Sequence, residues 1–149
     1  MAIQGELPGT PAAGPEPTLE WVRLGGGIMG ALEARLGSGT RADVLLVDVM
    51  TCLRPWLERD TFDGIVDELP WAVRGALRSP GGSPVAPRLE TRDAFVAEVG
   101  ELAQRTPAQA AACVRAAFAS LRGHLARGLA DAVERELPPE LAELWRTAR

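Results

Sequence analysis

The chain writes one pattern twice. "DELPWAVRGAL" at 67–77 and "RELPPELAELW" at 135–145 each set Glu-Leu-Pro ahead of an apolar helical face, 68 residues apart. Compared at that offset without a gap, 42–77 and 110–145 share nine identities in 36 positions: Ala42/Ala110, Leu53/Leu121, Arg54/Arg122, Leu57/Leu125, Arg59/Arg127, Asp63/Asp131, Glu68/Glu136, Leu69/Leu137 and Pro70/Pro138. The apolar stripe superimposes too. Ala42, Leu45, Leu46, Val49, Leu53 and Leu57 recur at steps of three and four, and Ala110, Cys113, Val114, Ala117, Leu121 and Leu125 repeat that face of a 3.6-period helix. Internal duplication accounts for both observations.

Cap chemistry divides each half further. "TPAQ" at 106–109 offers Thr106 as N-cap, Pro107 at the first helical position and Gln109 to close a capping box, and "TRAD" at 40–43 is a weaker counterpart. Pro70 and Pro138 are expected in the first turn of a last short helix, where a missing N–H leaves no intrahelical bond unmade. The spacing predicts helices over 19–36, 41–58, 61–68 and 70–78, then over 91–104, 107–125, 128–136 and 138–147.

Two breaks frame these halves. Residues 1–17 carry four prolines and three glycines, the composition of a flexible leader, and "RSPGGSPVAPRLE" at 78–90 reads as a linker. The organisation expected is a leader at 1–17, repeat 1 at 18–78, a Pro/Gly linker at 79–90 and repeat 2 at 91–149. A repeat of about 60 residues buries only about 60% of its exposable surface alone. The fold class expected is therefore all-α, two tandem repeats of about four helices each packed into one bundle with pseudo-two-fold symmetry.

One local motif points elsewhere. Gly25, Gly27 and Gly30 have the spacing G-x-G-x-x-G, and "VLLVDV" ending near Asp48 could pass for the next strand of a dinucleotide fold with its ribose-binding acid. The repeat argues against it, because this segment falls on the stretch around "CVRAAFA", inside a capped, alanine-rich helix. Glycines inside a helix cost about 1 kcal/mol each against alanine. The first helix is expected to break or start late, near Gly27.

Composition removes several function classes. With a net charge of −4 and a pI near 5.1 the chain has no positive field to gather a polyanion, so nucleic acid is not expected as a partner. All 16 basic residues are arginine and lysine is absent, which base bias in a GC-rich bacterial genome explains. "MAIQGELPGT" lacks the charged and apolar regions of a secretory signal, and no apolar run reaches the ~20 residues of a membrane span. A cytoplasmic protein with no membrane association is expected. Cys52 and Cys113 are too few for a metal-ligand set and read as reduced thiols, Cys113 on the core stripe.

No catalytic constellation can be defended from spacing, so no enzyme activity, cofactor or metal is expected. His124 is the only histidine and aligns with Trp56 near the end of the long helix. The repeated i,i+4 pairs Arg59/Asp63 and Arg127/Asp131 are expected to fix a helix junction. Of the four tryptophans, Trp56 and Trp71 are the surface candidates, facing His124 and Pro139 at the related positions. A position that differs sharply between halves either solves a packing problem or serves a partner that touches one half only.

The stretches "LERDTFDGIVDELPWAVRGAL" and "LARGLADAVERELPPELAELW", joined through "TRDAFVAEV", resemble the duplicated helical units of a prokaryotic family, domain of unknown function 2267. The two Leu-Pro junctions, the Arg74-Gly75 pair and Leu144-Trp145 match best, over about residues 20–147. The resemblance implies an all-helical bacterial protein and carries over no catalytic residue. Relatives tend to be rich in tyrosine and tryptophan after the Arg-Gly pair, where this chain has "ALRSPGGSPVAP". The function expected is a non-enzymatic interaction or adaptor protein that meets a protein partner or itself, with Trp56, Trp71, Arg74 and His124 as candidate contact residues. The alternative is a small-molecule sensor that uses a cleft between the repeats.

Overall fold

Prolines, glycines and hydroxyl caps set where each helix begins and ends. The computed structural model describes residues 27–37, 41–78 and 88–149. The expected leader, Trp21, Gly25 and linker residues 79–87 lie outside them. The described residues form eight α-helices and a 3-10 turn, with no strand, so the dinucleotide fold is excluded for "VLLVDV", which is helical.

The chain divides into two compact units at Thr40. In the first, α1 (Ile28–Leu36) starts directly after Gly27, its N-cap, as the glycine run requires, and the Ala31 N–H donates to the Gly27 carbonyl at 3.1 Å. Ile28 and Leu32, one turn apart, are buried. Gly37 closes the helix at φ +100, a conformation that side chains rarely adopt.

The second unit holds α2 (Ala42–Leu53), α3 (Arg59–Asp67), α4 (Trp71–Leu77), α5 (Arg92–Ala103), α6 (Pro107–His124), α7 (Arg127–Glu136) and α8 (Pro139–Thr147). The central helix is α2, which packs against α4, α5 and α6. Leu46, Val49, Met50 and Leu53 of α2 are fully enclosed, and so are Val114, Ala117 and Phe118 of α6. Phe118 stacks between Phe95 of α5 and Trp145 of α8, with ring centroids 5.6 and 5.4 Å apart. Close approach of α5 and α6 depends on Gly100, where a Cβ would lie 3.1 Å from the Ala110 methyl and 3.2 Å from the Arg105 carbonyl.

Two boundary expectations need correction. The helix expected over 41–58 stops at Leu53, and Arg54–Trp56 tighten into a 3-10 turn. Pro55 is the cause: it has no N–H for the Thr51 carbonyl and its ring crowds that turn. Its counterpart Gly123 imposes no such block, and α6 runs on to His124. Pro70 and Pro138 are N-caps, not first-turn residues, with extended ψ of 151° and 161°. Their carbonyls accept the first bonds of α4 and α8, from Arg74 N at 2.9 Å and Ala142 N at 2.8 Å. The capping box of α6 forms as read, with Thr106 Oγ1 accepting from Gln109 N and the Gln109 side chain accepting from Thr106 N.

Candidate functional site

The four candidate contact residues are placed very differently. Trp56 lies in the 3-10 turn that Pro55 creates and is half-buried. Its Nε1–H donates to the Leu89 carbonyl at 3.2 Å, and the Arg88 guanidinium sits 4.4 Å from its ring centroid. The indole therefore ties down the segment leading into α5. His124 ends α6 with an exposed ring whose Nε2 lies 2.9 Å from the Glu68 carbonyl. A carbonyl only accepts, so Nε2 carries the hydrogen. Arg74, half-buried, donates from Nη1 to the Asp67 carbonyl at 3.3 Å, across the α3–α4 junction.

Trp71 alone of the four has no internal use. It is 77% exposed at the start of α4, while Val73 and Leu77 on the opposite face are buried. Ala72, Gly75 and Ala76 are exposed beside it, so the outward face of α4 is a small apolar strip with an indole at one end. Three of the four residues thus belong to helix junctions.

The junction itself uses residues that periodicity does not single out. Glu136, at the end of α7, accepts from the Glu58 N–H at 2.8 Å through Oε1 and from Thr61 Oγ1 at 2.7 Å through Oε2. Glu58 is the N-cap of α3 and Thr61 lies in its first turn. In return Glu68, just after α3, accepts from the Ala126 N–H at the start of α7 at 3.3 Å. Each helix end thus caps the other's start, where unpaired N–H groups favour a carboxylate. The i,i+4 pairs expected to fix this junction do not form. Neither Arg59–Asp63 nor Arg127–Asp131 closes, whereas Arg41–Asp43, Arg78–Asp67 and Arg146–Glu134 do. The side chains of the expected pairs are solvated on exposed faces, where holding two long side chains together gains little.

Arg122 was another silent identity. Its guanidinium donates to the carbonyls of Trp145 and Ala148 and closes the C-terminal end of α8, while its counterpart Arg54 stands 4.9 Å over the Phe62 ring.

Potentially reactive groups are suppressed by burial. Both cysteines are free and buried. Desolvation, helped by the Glu98 and Asp48 carboxylates, pushes the Cys52 thiol up to about 12, and burial raises Cys113 as well. Neither supplies a thiolate at neutral pH. Asp48 is raised by desolvation, and its buried Oδ2 has no hydrogen-bond partner. Among the described residues no three His, Cys, Asp or Glu side chains cluster so as to hold a metal ion, and no helix is long and apolar enough to cross a membrane. Among the described residues, clefts open on the surface of the second unit. One of about 500 Å³ lies among α5, α6 and α8, and one of about 420 Å³ is lined by Arg54, Arg59, Phe62 and Asp63.

No curated protein matches the chain. A family model described as an uncharacterized conserved protein matches residues 28–144, which takes in every helix from α1 to α7 and most of α8. With eight helices in place, the Leu-Pro junctions at the heads of α4 and α8 and that match over most of its length, the chain belongs to the family of uncharacterized conserved proteins DUF2267.

Proposed function

We propose that the protein is a non-enzymatic interaction module of the bacterial cytoplasm, docking a protein partner through the outward face of α4. One observation carries this reading: a tryptophan 77% exposed on a helix whose other face is buried in the core. A lone exposed apolar residue needs no explanation, but an indole continued by Ala72, Gly75 and Ala76 forms a strip of the kind that anchors interfaces. Trp56 Nε1 and His124 Nε2 are committed to the fold, which favours Trp71 as the anchor, with Arg74 beside it.

The internal repeat supports a partner on one half only. Helices α3 and α7 begin at Arg59 and Arg127, and α4 and α8 at Trp71 and Pro139, each 68 residues apart. Leu46/Val114, Met50/Phe118, Leu53/Leu121 and Leu69/Leu137 are buried in both members. The Glu136–Glu58 and Glu68–Ala126 bonds are reciprocal at the same offset. We read these as a duplication packed with pseudo-two-fold symmetry. On that reading Trp71 is where the symmetry breaks at the surface, since proline occupies the related position.

The cleft-sensor alternative requires room between the halves, and the seam where α2 meets α6 is occupied by enclosed side chains. The interaction reading is tested by placing a photo-crosslinking side chain at position 71 and, as controls, at the exposed positions Arg135 and Glu143, in the living source cell. A discrete adduct from position 71 alone is expected. No adduct, or the same adducts from all three positions, sinks the reading.

A further inference from the structure

The larger groove has a polar end and an apolar floor. Pro107, Ala111 and Arg115 stand four residues apart along α6, so the groove follows one helix face for about 12 Å at 1.5 Å per residue. Val96 and Ala97 of α5 and Leu144 of α8 complete the floor. The turn at 104–106 reverses the chain between α5 and α6, so Pro107 marks one end and Arg92, at the start of α5, lies toward Arg115 at the other.

Both guanidiniums at that end are uncommitted. Arg92 is held only through its backbone N–H, which donates to Glu140 at 2.9 Å, and among the described residues no hydrogen bond or ion pair engages the side chain of Arg92 or Arg115. Arg78, Arg122 and Arg146, by contrast, are all paired. Asp93 is the one carboxylate in the lining, with the Glu140 carboxylate beside it taken up by the Arg92 N–H, so two guanidiniums face the groove in a protein whose net charge is −4. Two guanidiniums at one end of a short groove suit a small anion rather than a long polyanion.

We propose that this groove binds a monocarboxylic acid with an unbranched apolar tail, its carboxylate between Arg92 and Arg115 and its tail lying toward Pro107. Free guanidiniums offer the forked geometry that carboxylates take up in pairs of hydrogen bonds. Val96, Ala97, Ala111 and Leu144 make the floor apolar, and the one hydroxyl in the lining, on Thr147, already donates to the Glu143 carbonyl, so the floor suits a plain hydrocarbon tail and not a peptide backbone that needs hydrogen-bond partners. Its length of about 12 Å suits a tail of about eight to ten carbons, and its volume of about 500 Å³ lies in the range of ligand sites.

The experiment is a titration of the full, isotope-labelled chain with decanoate below its aggregation concentration, read by amide chemical shifts. Saturable shifts confined to α5, α6 and α8 are expected. Arg115→Ala, at an exposed position, should weaken binding about tenfold, a loss of about 1.4 kcal/mol. Asp93→Asn should tighten it, and decylamine, with the same tail and the opposite charge, should not bind. Trp71→Ala should leave the titration unchanged, which separates this site from the α4 face. The proposal is overturned if decylamine binds as well as decanoate, if shifts scatter over the surface, if Arg115→Ala binds normally, or if an acidic amphipathic peptide fills the groove and excludes decanoate.

Discussion

Replacing Glu136 by alanine tests whether the crossed caps hold α3 against α7. The wild-type carboxylate makes two short hydrogen bonds, at 2.8 Å to the Glu58 N–H and at 2.7 Å to Thr61 Oγ1. The two losses are unequal. Glu58 is exposed, so water replaces the carboxylate on its N–H, whereas Thr61 is 8% exposed and its hydroxyl is left poorly solvated. Hydrogen bonds to a charged acceptor contribute about 1.5–3 kcal/mol when shielded, and an N-terminal cap about 1 kcal/mol; after discounting the solvated bond the expected loss is about 2 kcal/mol. For a chain of this length that lowers Tm by about 4–8 °C.

The comparison with Glu68 sharpens the test. Its carboxylate makes one longer bond, 3.3 Å, to the N–H of exposed Ala126, and its carbonyl still receives His124 after truncation. Glu68→Ala should therefore lose only about 0.5 kcal/mol, the lower end for a cap. Urea and thermal melts of both variants, with Glu143→Ala as an exposed control, decide the matter. Equal losses at the two sites, or a Glu136→Ala melt within error of wild type, would refute the assignment of the caps.

Leu69→Ala and Leu137→Ala, at positions 3% and 7% exposed, should each destabilise by about 2–5 kcal/mol in a urea melt, and an unchanged midpoint would remove them from the core. Asp48→Asn should stabilise the fold at pH 7. Burial raises the Asp48 carboxyl in the folded state, so the folded chain holds that proton more tightly than the unfolded one and stability falls as pH rises through the interval between the two values; the gain from asparagine should vanish below the ordinary carboxylate range, and a gain that persists at pH 3 would contradict the cause. Cys52 and Cys113, both enclosed and shifted toward the thiol, should resist a disulfide exchange reagent until denaturant is added; rapid reaction of the native chain would show that one is accessible.

Helical periodicity was legible because it is a property of one element at a time. The stripe from Ala42 to Leu57 predicts buried faces that the structure buries, and Thr106 with Gln109 forms a cap from neighbours three residues apart. What escaped the sequence depends on residues that meet only after folding. Glu136 and Glu58 are 78 positions apart, and nothing local distinguishes Glu136 from a solvated carboxylate at a helix end. The signal is present in another form: Glu68 and Glu136 are identical at the 68-residue offset, as are Arg54 and Arg122. Local reasoning assigned the junction to Arg59/Asp63 and Arg127/Asp131 because an i,i+4 pair can be seen without a fold.

Proline shows the same limit at smaller scale. The apolar stripe runs straight through Pro55 to Leu57 and so hides it, yet covalent geometry overrides periodicity wherever a bond to the preceding turn is needed. The consequence reaches the surface. By stopping α2 early, Pro55 swings Trp56 into a turn where its indole secures Leu89, while in the other half an unblocked helix delivers His124 to Glu68. The sharp difference between Trp56 and His124 therefore follows from what precedes each, Pro55 ending α2 before Trp56 and Gly123 letting α6 run on to His124. Trp71 has no such account, since its side chain closes no junction and its related residue is a proline that serves only to start a helix. An asymmetry that packing does not use is the one for a partner to explain.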